Sequence, residues 1–236
     1  MQNKPSLMIP QLGADPSSGF PDPSTALESP DGLLAWGGDL DPVRLGNAYH
    51  SGIFPWYSDD QPILWWCPAT RCVLYPKEIH ISRRLQRLIL QNKFRLSVDQ
   101  AFEEVILGCA LPRETQTGTW ITPDMIHAYC RLHKMGIAHS VEVWQDNILV
   151  GGIYGLSIGK IFFAESMYSL VSNASKIALA GLCSSLAARE FALLDCQISN
   201  PHLERMGAVE ISRSTFLSVV ASNVDLSSRH DSFSSA

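Results

Sequence analysis

HSVEVWQDNILVGGIYGLSIGKIFFAESMY, residues 139–168, is the stretch that decides the fold. Apolar residues recur at alternate positions along it, and short turns at 145–147 and 159–160 interrupt the pattern. Alternation with a period of two is typical of β-strands, and turns of this length join strands that run antiparallel. The stretch therefore predicts an antiparallel meander of three strands, at 140–144, 149–158 and 161–168.

The segments after the meander alternate between helix and strand. A long apolar helix is predicted from Ala174 to about Arg189, with Asn173 as its N-cap, and it has to pack on the sheet. The elements predicted after it are a strand at 192–198, a short helix at 201–206 and a last strand at 208–211. Strands in a meander followed by this order of elements are typical of an α+β sheet of the acyltransferase type.

Helix-start signals predict four helices before the meander. Three of them begin at an Asp, Ser or Thr that can cap the first turn, and these N-caps are Asp41, Ser82 and Thr122. The fourth helix is predicted to open at Val98-Asp99-Gln100 and to run to about Gly108.

Composition divides the chain into four parts. The first thirty or so residues are rich in Pro, Ser, Gly and Asp, which is typical of irregular structure, and the serine-rich tail is expected to fray. We predict an irregular segment at 1–31, a small N-terminal α/β subdomain at 32–78, a larger α+β domain at 79–221 and a tail at 222–236.

Length and charge restrict the class of protein. A chain of 236 residues, 46% of them hydrophobic, can bury a sizeable core. Its apolar runs are too short to span a membrane and its first residues lack the pattern of a secretory signal, so a cytoplasmic protein is expected. Six scattered cysteines without a Cys-x-x-Cys pair favour buried, reduced thiols over disulfides or a metal site. The net charge of −5 argues against a protein that coats nucleic acid without specificity.

One local segment is basic. Residues 79–98 contain no acidic side chain and carry five cations, which are Arg83, Arg84, Arg87, Lys93 and Arg95. The three arginines at 83–87 share one face at helical spacing. Two interpretations stay open at this point, because such a run forms either a solvated helix face or a local patch for a nucleic-acid backbone.

Polar residues in apolar strands indicate where chemistry could occur. In the strand at 192–198, alternation places Asp195 and Gln197 on one surface, and Glu165 lies in an apolar strand of the meander. A buried carboxylate needs hydrogen-bond partners, so Asp195 either binds backbone amides at a strand end or forms a site with the other two. Together the three side chains could orient an amine and receive its proton. If Asp195 belongs to such a site, Asp195→Ala is expected to abolish activity without unfolding the protein.

Two tryptophans lie in contexts typical of loops. Trp56 follows Pro55, and Trp120 immediately precedes the helix that Thr122 caps. Such rings either stack on nucleobases or fill the core, and the sequence does not decide between these roles.

Nine motifs in the same order resemble the leucyl/phenylalanyl-tRNA–protein transferase family. They are GLLAWGGDL (32–40), GIFPWY (52–57), ILWWCP (63–68), GTWIT (118–122), HSVEVW (139–144), LVGGIYG (149–155), ESMYS (165–169), NASK (173–176) and DCQ (195–197). The resemblance extends over nearly all of residues 20–220.

This resemblance implies an enzyme of the N-end rule pathway whose C-terminal domain has the acyl-CoA N-acyltransferase fold. It implies Leu-tRNA or Phe-tRNA as donors, with Met as a further donor residue, and proteins beginning with Arg or Lys as acceptors. The donor ester is already activated, so no cofactor and no metal are expected. A monomer is expected.

The resemblance also implies roles for individual residues. Asp195 and Gln197 would be the catalytic pair, with Asp195 polarising Gln197 as it holds the attacking amine. Glu165 and Asn200 would contact the acceptor or the ribose, and Trp56 and Trp120 would hold the terminal adenosine. The pocket for the donor side chain would be lined by Ile153, Phe162, Met167, Leu182 and Leu194. The basic run 83–95 would be the tRNA patch.

Two other functions remain to be weighed. A CoA-dependent N-acetyltransferase needs a glycine-rich loop before the long helix to hold the pyrophosphate, and residues 169–176 contain no glycine. The third possibility is a non-catalytic module that binds tRNA or basic N-terminal residues, which would not require Asp195 and Gln197 as a pair.

Overall fold

The computed structural model describes residues 9–112 and 119–224, and all statements below refer to that part of the chain. Its strands are β1 (Gln11–Leu12), β2 (Leu33–Gly37), β3 (Phe54–Pro55), β4 (Leu64–Trp66), β5 (Thr70–Leu74), β6 (Arg95–Val98), β7 (Ala138–Gln145), β8 (Ile148–Ile158), β9 (Ile161–Ser169), β10 (Leu193–Gln197) and β11 (Val209–Ser212). Its α-helices are α1 (Pro42–His50), α2 (Arg83–Leu90), α3 (Phe102–Ala110), α4 (Pro123–Lys134), α5 (Ala174–Ala188), α6 (Pro201–Arg205) and α7 (Arg213–Asn223).

The larger sheet has the strand order β11-β5-β10-β9-β8-β7-β6. Its strands β7, β8 and β9 are the predicted antiparallel meander, in which Ile153 pairs with Val141 on one side and with Met167 on the other. Strand β10 runs parallel to β9, and the remaining neighbours in this sheet are antiparallel. The predicted α+β class with a mixed, largely antiparallel sheet is confirmed.

The smaller sheet has the order β1-β2-β4-β3 and precedes the larger one in the chain. Strand β5 lies within the predicted subdomain 32–78, yet it pairs with β10 and β11 in the larger sheet. The predicted boundary after residue 78 therefore does not follow the sheets. Strand β1 lies in the segment 1–31 that the composition predicts to be irregular, and it pairs in parallel with β2.

Three predicted N-caps are confirmed. The side chains of Asp41, Ser82 and Thr122 each accept a hydrogen bond from a backbone N–H in the first turn of α1, α2 and α4. Asn173 does precede α5, but its side chain makes no capping hydrogen bond and its φ is +72°. Asn173 is therefore the N-cap residue, as predicted, but it does not stabilise the first turn through its side chain.

Two predicted boundaries need correction. Residues 95–98 form β6, since Val98 pairs with Val141 across the sheet, and α3 begins only at Phe102. The predicted tail starts inside α7, whose side chains Phe216 and Val220 are buried in the core. The rest of that tail, from residue 225, lies outside the described residues.

Helices cover both faces of the larger sheet. Gly151 and Gly152 point to opposite faces of β8, and a Cβ on Gly151 would lie 2.6 Å from the Cβ of Ala174 in α5. A Cβ on Gly152 would lie 2.9 Å from Cγ2 of Val105 in α3. The two glycines therefore allow α5 and α3 to pack closely against the strand that leads into the candidate site.

No helix of the described residues is both long enough and apolar enough to cross a membrane. All six cysteines are free thiols and five of them are buried, as the sequence predicts for small hydrophobic side chains.

Candidate active site

A cavity of about 220 Å³ opens between β8, β9, β10 and the start of α6. Seven of the residues that the sequence assigns to substrate binding or catalysis line it, and these are Trp120, Ile153, Glu165, Met167, Leu194, Gln197 and Asn200. Its wall is apolar where Ile153, Met167 and Leu194 meet, and it is polar at Glu165 and Gln197. A pocket with this division suits an apolar side chain that carries a reacting polar group.

Four assigned residues lie elsewhere, and three of them, Phe162, Leu182 and Trp56, are substrate-binding candidates. Phe162 and Leu182 are fully buried in the core cluster between α5 and the sheet and do not line the cavity. The ring of Phe162 occupies the space over Gly155, where a Cβ would lie 2.6 Å from its Cε1 atom, so it fills the core below the cavity. Trp56 is 42% exposed outside the cavity and packs edge-on against Trp66 at 5.8 Å.

Leu179 is a lining residue that the sequence analysis missed. It lies on α5 one turn before Leu182, on the apolar stripe that faces the sheet. The helical pattern identifies that stripe but does not show which of its leucines reaches the cavity rather than the core.

Glu165 is the centre of a hydrogen-bond network at the polar end of the cavity. Its Oε1 accepts from the hydroxyl of Tyr49 at 2.7 Å and from Nε2 of Gln197 at 3.3 Å, and its Oε2 accepts from the hydroxyl of Tyr129 at 3.0 Å. The two tyrosine hydroxyls also contact each other at 2.5 Å. Tyr49 comes from α1 and Tyr129 from α4, so three separate parts of the chain hold this carboxylate.

Burial raises the pKa of Glu165 to about 7, although the hydrogen bonds from Tyr49 and Tyr129 act in the opposite direction. Burial and the charge of Glu165 in turn raise the pKa values of both tyrosines well above their ordinary range, so these hydroxyls remain donors. A carboxyl group that titrates near neutral pH can exchange a proton with an amine. No local sequence pattern indicates the two tyrosines, because contacts between α1, α4 and β9 are non-local.

Asp195 forms a buried ion pair with Arg71. The Nε and Nη2 atoms of Arg71 donate to the two carboxylate oxygens at 2.8 and 2.7 Å, and both side chains are almost completely buried. The guanidinium lies between the rings of Phe54 and Phe216, at 4.6 and 4.4 Å from their centroids. Arg71 on β5 is a further residue that the sequence analysis missed.

Asp195 does not line the cavity, which corrects the predicted shared surface with Gln197. A bulge between Asp195 and Gln197 interrupts the pairing of β10 with β5, and Gln197 has a φ of +56°. The two-residue alternation ends at the bulge, so Leu194, Cys196 and Gln197 face the cavity while Asp195 faces Arg71. Asp195 contacts Gln197 only through the backbone, since its Oδ1 accepts from the N–H of Gln197 at 3.0 Å.

The ion pair between Arg71 and Asp195 therefore holds Gln197 in an unfavourable backbone conformation. A left-handed conformation costs a residue other than glycine about 1 to 2 kcal/mol. The hydrogen bond from the N–H of Gln197 to a carboxylate that Arg71 holds in place offsets this cost. The result is a Gln197 side chain that is directed toward Glu165 and the cavity.

The predicted tRNA-binding residues are exposed and lie apart from the cavity wall. Arg83, Arg84 and Arg87 are on α2, Lys93 is in the following turn, and Arg95 begins β6. Arg95 also covers the ring of Trp144 at 4.9 Å and donates to Gln100. Within the described ranges no group of three or more His, Cys, Asp or Glu side chains could hold a metal ion.

Comparison with known sequences identifies the family. The profile described as leucyl/phenylalanyl-tRNA protein transferase matches residues 73–221, and that of the N-terminal domain of the same proteins matches residues 38–69. The chain belongs to the leucyl/phenylalanyl-tRNA protein transferase family. It is an aminoacyltransferase, and the predicted resemblance is confirmed.

Relatives in this family share about half of their residues with the chain. The leucyl/phenylalanyl-tRNA–protein transferase of Alkalilimnicola ehrlichii is 55% identical over 204 residues, which cover 86% of this chain and 79% of that protein. The one from Hahella chejuensis is 52% identical over 201 residues, covering 85% of this chain and 86% of that protein.

The solved structures to which the chain is similar share much less of their sequence with it than these relatives do. FemX has a TM-score of 0.47 at 12% identity, covering 72% of this chain and 66% of FemX. A ribosomal-protein-alanine N-acetyltransferase from Brucella melitensis has a TM-score of 0.34 at 16% identity, covering 46% of this chain and 81% of that one.

Proposed function

We propose that this aminoacyltransferase moves leucine, and also phenylalanine or methionine, from a charged tRNA to the N-terminal α-amino group of proteins that begin with Arg or Lys. The observation that carries the proposal is the cavity, which joins an apolar pocket to a carboxyl group that titrates near pH 7. The modified protein would be marked for degradation by the N-end rule. We further propose that the enzyme acts in the cytoplasm as a monomer.

The donor side chain fits the apolar end of the cavity. Ile153, Met167, Leu179 and Leu194 surround it, and burial of a leucine side chain there stabilises the complex by about 2 kcal/mol. The ring of Trp120 at the wall stacks on the terminal adenine, and Trp56 offers a second aromatic surface to the donor. The Oδ1 of Asn200 already caps α6, which leaves its Nδ2 as the group for a ribose contact.

The acceptor amine enters at the polar end. As an ammonium ion it must lose a proton before it can attack the ester carbonyl, and Glu165 is the base whose pKa of about 7 suits that transfer. The amine then forms the amide bond, the bond from the carbonyl carbon to the ribose oxygen breaks, and the second proton that the nitrogen loses ends on that oxygen as the ribose hydroxyl. Gln197 beside Glu165 orients the amine, and Asp195 acts as a positioning residue through the backbone of Gln197.

The charge of the site agrees with a basic acceptor residue. No Lys or Arg of the described residues lines the cavity beside Glu165. Arg71 lies behind Asp195 and is not part of the cavity wall. The donor tRNA requires positive charge outside the cavity, and the five exposed cations of residues 83–95 are proposed to contact its backbone.

The test is transfer of radiolabelled leucine from Leu-tRNA to a protein that begins with Arg, with acetyl-CoA as a competing donor. Labelled protein that depends on an N-terminal Arg or Lys, and that Gln197→Ala fails to produce, is the expected result. Acetyl transfer without leucine transfer would replace the proposal with the acetyltransferase function. Binding of tRNA without any transfer would replace it with the non-catalytic module.

A further inference from the structure

A second concave surface lies on the far side of α6 from the cavity. We call it the α5–α6 groove, and it is lined by side chains of α2, the loop before α5, α5 itself and α6, among them Arg84, Ser172, Asn173, Lys176 and Arg205. Its volume is about 350 Å³. A shallower groove of about 380 Å³ continues it along α2 and shares Arg84, Ser172 and Asn173 with it.

The groove is positively charged and lacks a compensating acid. No carboxylate lines it, and none of Arg84, Lys176 and Arg205 forms a salt bridge with a carboxylate of the described residues. The neighbouring acid Glu204 is engaged by the hydroxyl of Ser199. Three unpaired cations around one concavity in a chain of net charge −5 indicate a site for an anion.

One further observation agrees with an anion site. The N-terminus of α5, a helix of 15 residues, borders the groove, and the positive end of the helix favours an anion there, although the N–H of Ser175 already donates to Oγ of Ser169.

The position of the groove indicates which anion it binds. Helix α6 separates it from the cavity, with Asn200 and Leu203 on the cavity side and Arg205 on the groove side. Both sites therefore adjoin the same short helix of five residues. Separate cations along two adjoining grooves suit consecutive phosphodiesters better than a single enclosed ion.

We propose that Lys176 and Arg205, together with Arg84, bind backbone phosphates of the acceptor end of the donor tRNA, next to the terminal nucleotide whose ester enters the cavity. This inference rests on the proposed function. It adds to the patch of residues 83–95 a second contact, contributed by α5 and α6, that fixes the direction from which the 3′ end approaches.

The test compares two double variants. Lys176→Ala/Arg205→Ala removes two cations from the groove, and Arg131→Ala/Lys134→Ala removes two cations from α4, outside the groove and the cavity. The probe is an acceptor-stem hairpin with a single-stranded 3′ end, and its dissociation constant is measured between about 50 and 200 mM salt.

The groove variant should reduce the slope of log affinity against log salt by about 1.4 to 1.8, since each lost phosphate contact contributes about 0.7 to 0.9. This corresponds to an affinity about 25-fold to 60-fold lower at 0.1 M salt. The α4 variant should keep the wild-type slope. If the double variant does not fold, the exposed Arg205→Ala alone should reduce the slope by about 0.7 to 0.9.

Several results would overturn the groove assignment. They are an unchanged slope, an equal change in the α4 variant, a change seen with intact tRNA but not with the hairpin, and displacement of the hairpin by coenzyme A at concentrations where inorganic phosphate has no effect. Leucine transfer by the wild-type enzyme is measured in parallel. Absence of that transfer contradicts the proposed function, whereas normal transfer with an unchanged slope contradicts only the groove.

Discussion

Asp195→Ala should lower the free energy of unfolding by about 3 to 5 kcal/mol, because it leaves the guanidinium of Arg71 buried without its counter-charge. Both partners are almost inaccessible, and two N–H groups of Arg71 donate to the lost carboxylate at 2.8 and 2.7 Å. The guanidinium also packs against the rings of Phe54 and Phe216, which offer no hydrogen-bond acceptor to replace the carboxylate. In a chain of this size the loss lowers the midpoint of thermal unfolding by roughly 6 to 20 °C.

This expectation differs from the one that the strand pattern supports, in which the variant loses activity and keeps its fold. Thermal and urea unfolding followed by circular dichroism measure the loss. The control is Arg71→Met/Asp195→Leu, which removes both charges and should recover most of the stability. Transfer should remain absent from the double variant, since the N–H of Gln197 has lost its acceptor. A single variant within about 1 kcal/mol of the wild type, or a double variant no more stable than the single one, would refute the reasoning.

Three other predictions concern the cavity. Glu165→Gln should reduce kcat/KM by about 10²-fold to 10⁴-fold. The rise of the wild-type rate with pH through about 7 should disappear, so that only the titration of the acceptor amine, with a pKa of about 8, remains. A pH profile of both enzymes checks this. Tyr129→Phe removes a hydrogen bond to the ionised form of Glu165, so the pKa of Glu165 should rise. The acid limb of the pH profile should then move to higher pH by about 1 to 2 units. An unmoved limb would contradict the role of Glu165 as base. Leu179→Ala should enlarge the apolar end and raise the use of Phe-tRNA relative to Leu-tRNA by about tenfold in a competition assay, whereas the control Leu182→Ala, in the core, should lower stability without changing that ratio.

The parts of the fold that the sequence predicts are those set by local patterns. The meander follows from alternation in residues 139–168, and three helices follow from their N-caps, because each depends on residues a few positions apart. The pattern failed at β6, where Val98-Asp99 reads as a helix start but pairs with β7. The sequence pattern also missed α7, because the apolar residues of this helix are not concentrated on one face. Phe216 of α7 nevertheless packs in the core and against Arg71.

Sequence patterns can assign residues to the candidate site where those residues share one strand or one motif. Seven assigned side chains line the cavity, and the assignments that fail do so for geometric reasons. Alternation along β10 cannot reveal a bulge, so it places Asp195 on the surface of Gln197, and the apolar stripe of α5 cannot distinguish Leu179 from Leu182. Tyr49 and Arg71 escaped the analysis because their partners lie more than 100 positions away in the chain.

These two missed residues show why the N-terminal part cannot be regarded as an accessory to the larger sheet. Tyr49 on α1 donates directly to Glu165, and Phe54 on β3 shields the guanidinium that fixes Asp195. Since Asp195 holds the left-handed backbone of Gln197, residues of the smaller sheet and of α1 influence both the pKa of Glu165 and the direction of the Gln197 side chain. The division into an N-terminal subdomain and a larger domain therefore describes the order of the chain, whereas the hydrogen-bond network around Glu165 is built across the boundary.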